Sequence, residues 1–307
     1  MKKLPIFIFF IILLAACGGT EDDNGKTSAN VAAKRSSSAK KYDKIIKQLE
    51  PFFKPMGKPG KYDWLATFQE SGQTFDEYRA AKPNVPKGKR KNIYVQPIGK
   101  FTSTERNVIT AAADYLHVFY QLPVKVLPTK QFPTLGKSDF RMRGYPSKRQ
   151  IRTGFILDKM LKPALPADAA ALVAFTNEDL YPSDTMNFVF GQASLDDRVG
   201  VWSVLRLERN GSPEKFLTRT LKIAAHETGH MFSMRHCIKY ECLMSGTNNL
   251  AETDSRPIDA CPECTAKVLY LSQADAEKRY RELADFARKH GLKSDAAGFE
   301  KKAAAVK

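Results

Sequence analysis

From residue 92 onward, short apolar runs alternate with longer stretches whose apolar positions recur every three or four residues. Residues 93–96 predict a strand, 104–119 an amphipathic helix, and 124–127 a second strand. Residues 147–162 place Ile151, Phe155, Ile156 and Met160 near one helical face and predict another helix. Residues 170–175 are an unbroken apolar run, the mark of a strand covered on both faces. Two further strands are expected at 188–193 and 200–207. A longer helix follows: Ser212 suits the N-cap, Pro213 the first turn and Glu214 the positive helix end, ahead of a stripe of Phe216, Leu217, Leu221 and Ala224. A last helix, capped by Ser272, carries Ala276, Tyr280, Leu283 and Ala287 on one face. It ends at His290 and Gly291, where a cation complements the dipole and glycine closes the helix. The Ala- and Lys-rich residues from 294 predict a frayed tail. Strands alternating with helices define an α/β chain with a mostly parallel sheet, to which the late pair adds an antiparallel edge. No internal repeat interrupts the pattern.

The first 91 residues read differently. Lys2 and Lys3 precede an apolar run over residues 4–14, and Leu14-Ala15-Ala16-Cys17 resembles a bacterial lipobox, in which Cys17 becomes the lipidated N-terminus. The run is shorter than the ~20 residues that span a bilayer, which disfavours an uncleaved anchor. Residues 18–41 are polar and lack aromatic residues, as in a disordered tether. A basic stretch continues to residue 61 within a chain of net charge +16, a charge suited to anionic headgroups or to a plain solvated surface. Its aromatic residues, Tyr42, Phe52 and Phe53, lack the spacing of a base-stacking platform, and an envelope leader argues against a nucleic-acid partner. The divisions expected are a signal peptide (1–16), a lipid anchor and basic tether (17–61), an N-terminal extension (62–91), a catalytic domain (92–291) and a tail (292–307).

The chemistry concentrates in residues 226–264, which hold three of the five histidines and four of the five cysteines. His226 and His230 are four apart and share one helix face. His236 requires the chain to leave the helix and turn back. Three neutral imidazoles with an open fourth position describe a catalytic zinc site. Glu227 is placed to take a proton from water that the metal activates, as in peptide-bond hydrolysis. Cys237 and Cys242, then Cys261 and Cys264, have the spacing of a closed structural zinc site. Two disulfides are the alternative in an exported protein. His117 lies within a predicted helix and reads as an ordinary core or surface residue.

The run HETGHMFSMRHC, then IKYE, C-L-M and finally CPEC, resembles the signature of the archaemetzincins, a branch of the metzincin zinc peptidases. Similarity extends over about residues 62–290, including the segments around 62–80 and 176–207. The resemblance implies a zincin-like mixed sheet with an active-site helix and a small C-terminal lobe stapled by a structural zinc. It implies His226, His230 and His236 on a catalytic zinc, Glu227 as general base, and Cys237, Cys242, Cys261 and Cys264 on a structural zinc. Met244 would be the Met-turn residue beneath the site. A zincin-type edge strand, here 188–193 or 200–207, would bind substrate as an added strand. Ser233 stands where the family signature has glycine, which calls for a left-handed backbone costing a serine roughly 1–2 kcal/mol.

The sequence thus predicts a zinc-dependent peptidase with two zinc ions, acting on a peptide or protein substrate and held by lipid in a bacterial cell envelope. Two rivals fit parts of the pattern. One is a catalytically inactive zinc-binding envelope lipoprotein that serves as a binding module. The other is a polyanion binder using the cysteine lobe and the basic charge. Substrate preference and oligomeric state leave no mark in the sequence.

Overall fold

A computed structural model describes residues 40–143, 148–194, 197–208 and 211–307. The expected signal peptide, Cys17 and most of the tether lie outside the described residues. Among those residues, no helix is long and apolar enough to cross a membrane.

The core is a five-stranded sheet in the order β2-β1-β5-β8-β7. Strands β1 (Asn92–Ile98), β2 (Val124–Val126), β5 (Ala169–Thr176) and β8 (Val199–Ser203) run parallel, and β7 (Gly191–Ser194) pairs antiparallel with β8 at one edge. This is the expected mixed α/β sheet. All eight residues of β5 are buried, as its unbroken apolar run requires of a central strand. Helix α4 (Ser103–Tyr120) crosses from β1 to β2 and opens on a capping box between Thr102 and Glu105. Helix α5 (Pro213–Met231) follows the sheet and is capped as predicted, with Ser212 accepting from the Lys215 amide. The Tyr120 hydroxyl donates to the Ala225 carbonyl and ties α4 to α5.

Several expectations need correction. Residues 147–162 are not one helix. Lys148–Arg152 form β4, which pairs antiparallel with β3 (Phe140–Arg143) and parallel with β6 (Asp179–Tyr181) in a small second sheet. Helical winding begins only after that strand, and Phe155–Leu161 form a π-helix that buries the consecutive Phe155, Ile156 and Leu157. A helical stripe therefore mixed two elements. The strand expected at 188–193 pairs on β8 only from Gly191, while Val189 donates to Leu180 in the second sheet. The strand expected at 200–207 ends at Ser203.

The C-terminal lobe is built from α6 (Leu250–Ser255), α7 (Pro262–Ser272), α8 (Ala276–Lys289) and α9 (Lys293–Ala305). Asp275, not Ser272, caps α8. Ser272 ends α7, and its hydroxyl is spent on the Val268 carbonyl. His290 and Gly291 close α8 as predicted. The tail is not frayed: Ala296, Phe299 and Ala303 of α9 are buried. Small alanines at helical spacing let that helix lie close against its neighbour.

The basic segment also departs from a tether. Residues 40–49 are helical, here α1, and Tyr42, Ile45 and Leu49 at i, i+3 and i+7 are buried. The Tyr42 ring packs 4.9 Å from Phe75, in α3 (Phe75–Ala80). Lysines on the other face mask this stripe in a composition count. Leu49 is fully buried, so Leu49→Ala should lower unfolding free energy by about 2–5 kcal/mol in urea titration. A loss below about 0.5 kcal/mol, the range of surface changes, would show that α1 does not belong to the core.

Candidate active site

His226 and His230 lie one turn apart near the end of α5, with their Nε2 atoms 3.0 Å apart. The helix stops at Met231, and Ser233 takes φ +64°, the left-handed conformation expected where the signature has glycine. The chain then doubles back, the Met234 amide donating to the Gly229 carbonyl at 3.0 Å. This turn brings His236 to the other two rings, at centroid distances of 5.1 and 4.9 Å. One ligand atom from each of the three histidines lies within 4.8 Å of the others. The serine is well supported. Its Oγ accepts from the Asn84 amide at 2.9 Å, its carbonyl accepts from Gln73 Nε2 at 3.3 Å, and the neighbouring Phe232 carbonyl accepts from the Tyr78 hydroxyl at 2.9 Å. Strain of roughly 1–2 kcal/mol is of the size that such bonds offset.

Each imidazole has an acceptor on Nδ1. His226 faces the Leu243 carbonyl at 2.9 Å, His230 the Met234 carbonyl at 2.6 Å, and His236 the Glu70 carboxylate at 2.9 and 3.0 Å. Acceptors there make Nδ1 the protonated nitrogen and leave all three Nε2 lone pairs converging. Burial, with repulsion from the other rings, holds His226 well below the usual imidazole range and His230 at about 3. Three converging lone pairs on neutral rings repel each other unless a cation lies between them, so the donor set fits zinc.

Glu227 is buried beside this cluster, and among the described residues nothing hydrogen-bonds its Oε2. Burial alone pushes its carboxyl up to about 8. A cavity of ≈ 70 Å³ opens against His226, Glu227 and His236; its walls include Trp64, Gly191, Lys222 and Arg256. Lys222 sits one turn before His226 and donates to the Thr253 carbonyl at 2.9 Å, and burial pulls its ammonium down to about 8. Met244 lies beneath the cluster: a Cβ on Gly229 would fall 2.7 Å from its Sδ, so only glycine allows this contact. The Cys237 amide donates to the Met244 carbonyl at 2.8 Å and links the third histidine's segment to the Met-turn.

Cys237, Cys242, Cys261 and Cys264 converge in a second buried group, as free thiols. Cys237 and Cys261 Sγ are 3.5 Å apart, and Cys242 Sγ accepts from the Cys261 and Met244 amides. Hydrogen bonds from the other thiols draw the Cys237 thiol far down, while burial drives Cys242 and Cys261 well up. Four converging buried sulfurs also suit a dication, which would stabilise all four as thiolates. His117 is exposed on α4, facing the Leu122 carbonyl, and takes no part.

Sequence reasoning did not find Trp64, Glu70, Gln73, Asn84 or Lys222. The first four reach the site from more than 140 residues away in sequence. No local spacing announces such contacts, although the 62–80 segment had stood out for its similarity. Trp64, in α2 (Trp64–Thr67), sets its ring edge-on to His236 at 5.1 Å.

Fold and site together set the chain among the zinc metallopeptidases. A family model described as peptidase family M54 matches residues 156–269, a span that holds both clusters. Archaemetzincin-2 of Mus musculus is 33% identical over 267 residues, covering 75% of this chain and 74% of that protein. Archaemetzincin of Archaeoglobus fulgidus is 33% identical over 179 residues, 58% of this chain and 99% of its own length. The crystal structure of archaemetzincin from Methanopyrus kandleri superposes with a TM-score of 0.50 at 26% identity, covering 62% of this chain and 99% of that one. The chain belongs to the archaemetzincin family.

The seating of Trp64 is testable. A Cβ on Gly246 would stand 2.5 Å from its indole ring, so Gly246→Ala must displace it. Urea unfolding should register a loss of about 1–3 kcal/mol. An unchanged midpoint would mean that Trp64 does not pack over the Met-turn.

Proposed function

We propose that this chain hydrolyses peptide bonds at the histidine cluster, with zinc held by His226, His230 and His236 and with Glu227 as general base. The observation that carries the reading is the pairing of three converging Nε2 atoms with a buried Glu227 carboxylate oxygen, unpartnered among the described residues, on the helix that carries two of the three histidines. Zinc bound there supplies Lewis acidity, polarising the scissile carbonyl, lowering the pKa of water to about 7 and favouring the ionised form of Glu227. The Glu227 carboxylate takes a proton from the water that attacks the carbonyl carbon. It returns that proton to the leaving nitrogen as the C–N bond breaks, so no covalent enzyme intermediate is needed. The edge strand β7 borders the cavity through Gly191 and offers its backbone to an extended substrate. The four cysteines hold a second, structural zinc, which fastens the segment after His236 to α7. A module that only held metal would have no use for Glu227, since ligation does not draw on its carboxylate.

Elemental analysis of the purified protein should give two zinc ions per chain, and His226→Ala should leave one. Glu227→Ala should keep both ions yet lose at least ~10²-fold in peptide hydrolysis, the usual share of a general base. Near wild-type turnover in that variant would remove Glu227 from the mechanism.

The proposal extends to location: Cys17 carries lipid and holds the enzyme in a bacterial cell envelope. The support is the lipobox-like Leu14-Ala15-Ala16-Cys17 after a basic start and an apolar run. In a bacterial host, labelled fatty acid should enter the wild-type protein but not Cys17→Ser, and the variant should leave the membrane fraction. Equal labelling of both would refute lipidation at Cys17.

A further inference from the structure

We infer that Glu70 is the positioning residue of the histidine site, making the N-terminal extension part of the metal centre rather than an appendage to it. The inference rests on the zinc site proposed above and concerns which residues fix it. The three histidines are not equally supported. His226 and His230 stand on α5, and each gives Nδ1–H to a neutral backbone carbonyl. His236 stands beyond the helix, after a serine in left-handed conformation, and gives Nδ1–H to both oxygens of a carboxylate. A charged acceptor makes the stronger bond and raises the basicity of the opposite nitrogen. The ligand with the least backbone support thus has the strongest side-chain support.

Glu70 is itself held on a strap that grips the same turn. Before it, the Trp64 amide donates to Glu252 Oε2 at 3.1 Å, and the Trp64 ring lies against His236. After it, Gln73 gives its amide hydrogen to the Ser233 carbonyl and accepts from the Arg235 amide at 3.1 Å. Lys267 of α7 reaches Gln73 from the cysteine lobe, and the Phe75 amide donates to Glu263 at 2.7 Å. Residues 64–75 therefore fasten the backbone from the Ser233 carbonyl to the Arg235 amide, then supply the carboxylate that orients the ring just beyond it. Glu70 lies well before residue 156, where the match to the family model begins. Because the strap and the ion would hold the same ring, docking of the strap and binding of zinc must favour each other.

The experiment compares full-chain wild type, Glu70→Gln and Glu70→Ala by zinc transfer to a chromophoric chelator, with the four-cysteine zinc as internal reference. Glu70→Ala should weaken the histidine-site zinc 10–100-fold, the usual effect of removing such a partner. Glu70→Gln, which keeps an acceptor oxygen but not the charge, should fall between. Hydrogen exchange supplies a second readout. Zinc should slow exchange of the 64–75 amides in wild type and do so less in Glu70→Ala. If Glu70→Ala fails to fold, the graded loss in Glu70→Gln decides. Histidine-site affinity within twofold of wild type in the variants, with the reference zinc retained, would overturn the inference and leave the peptidase reading intact. Wild-type protein whose histidines take no zinc would overturn both.

Discussion

Three imidazole nitrogens must face one another in a buried space, and much of the structure around them answers that requirement. Lone pairs this close repel, so each ring has to be held from behind. Two are held by the regular geometry of α5 and by carbonyls reached on its far side. The third does not ride on the helix, which stops at Met231, five residues before it. It must come from a chain that reverses, and reversal fixes Ser233 in a conformation that side chains resist. The surrounding elements act on that one turn: Tyr78, Asn84 and Gln73 bond its backbone and hydroxyl, and Met244 fills the space that Gly229 leaves open.

The cysteine cluster belongs to the same problem. Cys237 follows His236 directly and donates to the Met244 carbonyl, so whatever fixes Cys237 also fixes the last histidine and the Met-turn. The other sulfurs come from the Met-turn segment and from the start of α7, and α7 also sends Lys267 to Gln73. A single ion among four thiolates would thus brace the turn from below while the extension braces it from above. The absence of glycine at position 233 is tolerable because the turn is fixed from several sides at once.

What was legible in the sequence was what local spacing encodes. Histidines at i and i+4, an N-cap before an apolar stripe, and an unbroken apolar run for β5 each follow from the geometry of one element. The site's ligand candidates were therefore readable. Its supports were not, because Trp64, Glu70, Gln73 and Asn84 gain meaning only from a contact made across the fold. The same reasoning explains the fold errors. In 148–161 a strand and a π-helix share apolar residues that imitate a single helix. In 40–49 and 293–305 three buried positions per helix were outweighed by lysine and alanine in the composition.

The two carboxyl groups at the site occupy opposite environments, and the contrast follows from their neighbours. Glu227 is enclosed, with one oxygen lacking a hydrogen bond, so burial favours its neutral form and pushes its carboxyl up to about 8. Glu70 is also partly buried, yet its hydrogen bond and attraction to His236 outweigh that burial and hold it below the usual carboxylate range. One is therefore committed as an acceptor for a fixed ring, and the other is poised to change its protonation. A group that orients must not titrate under working conditions, and a group that shuttles a proton must be able to. The fold achieves this division by placement: Glu70 stands behind His236 at its Nδ1, whereas Glu227 lines the cavity where a substrate would lie.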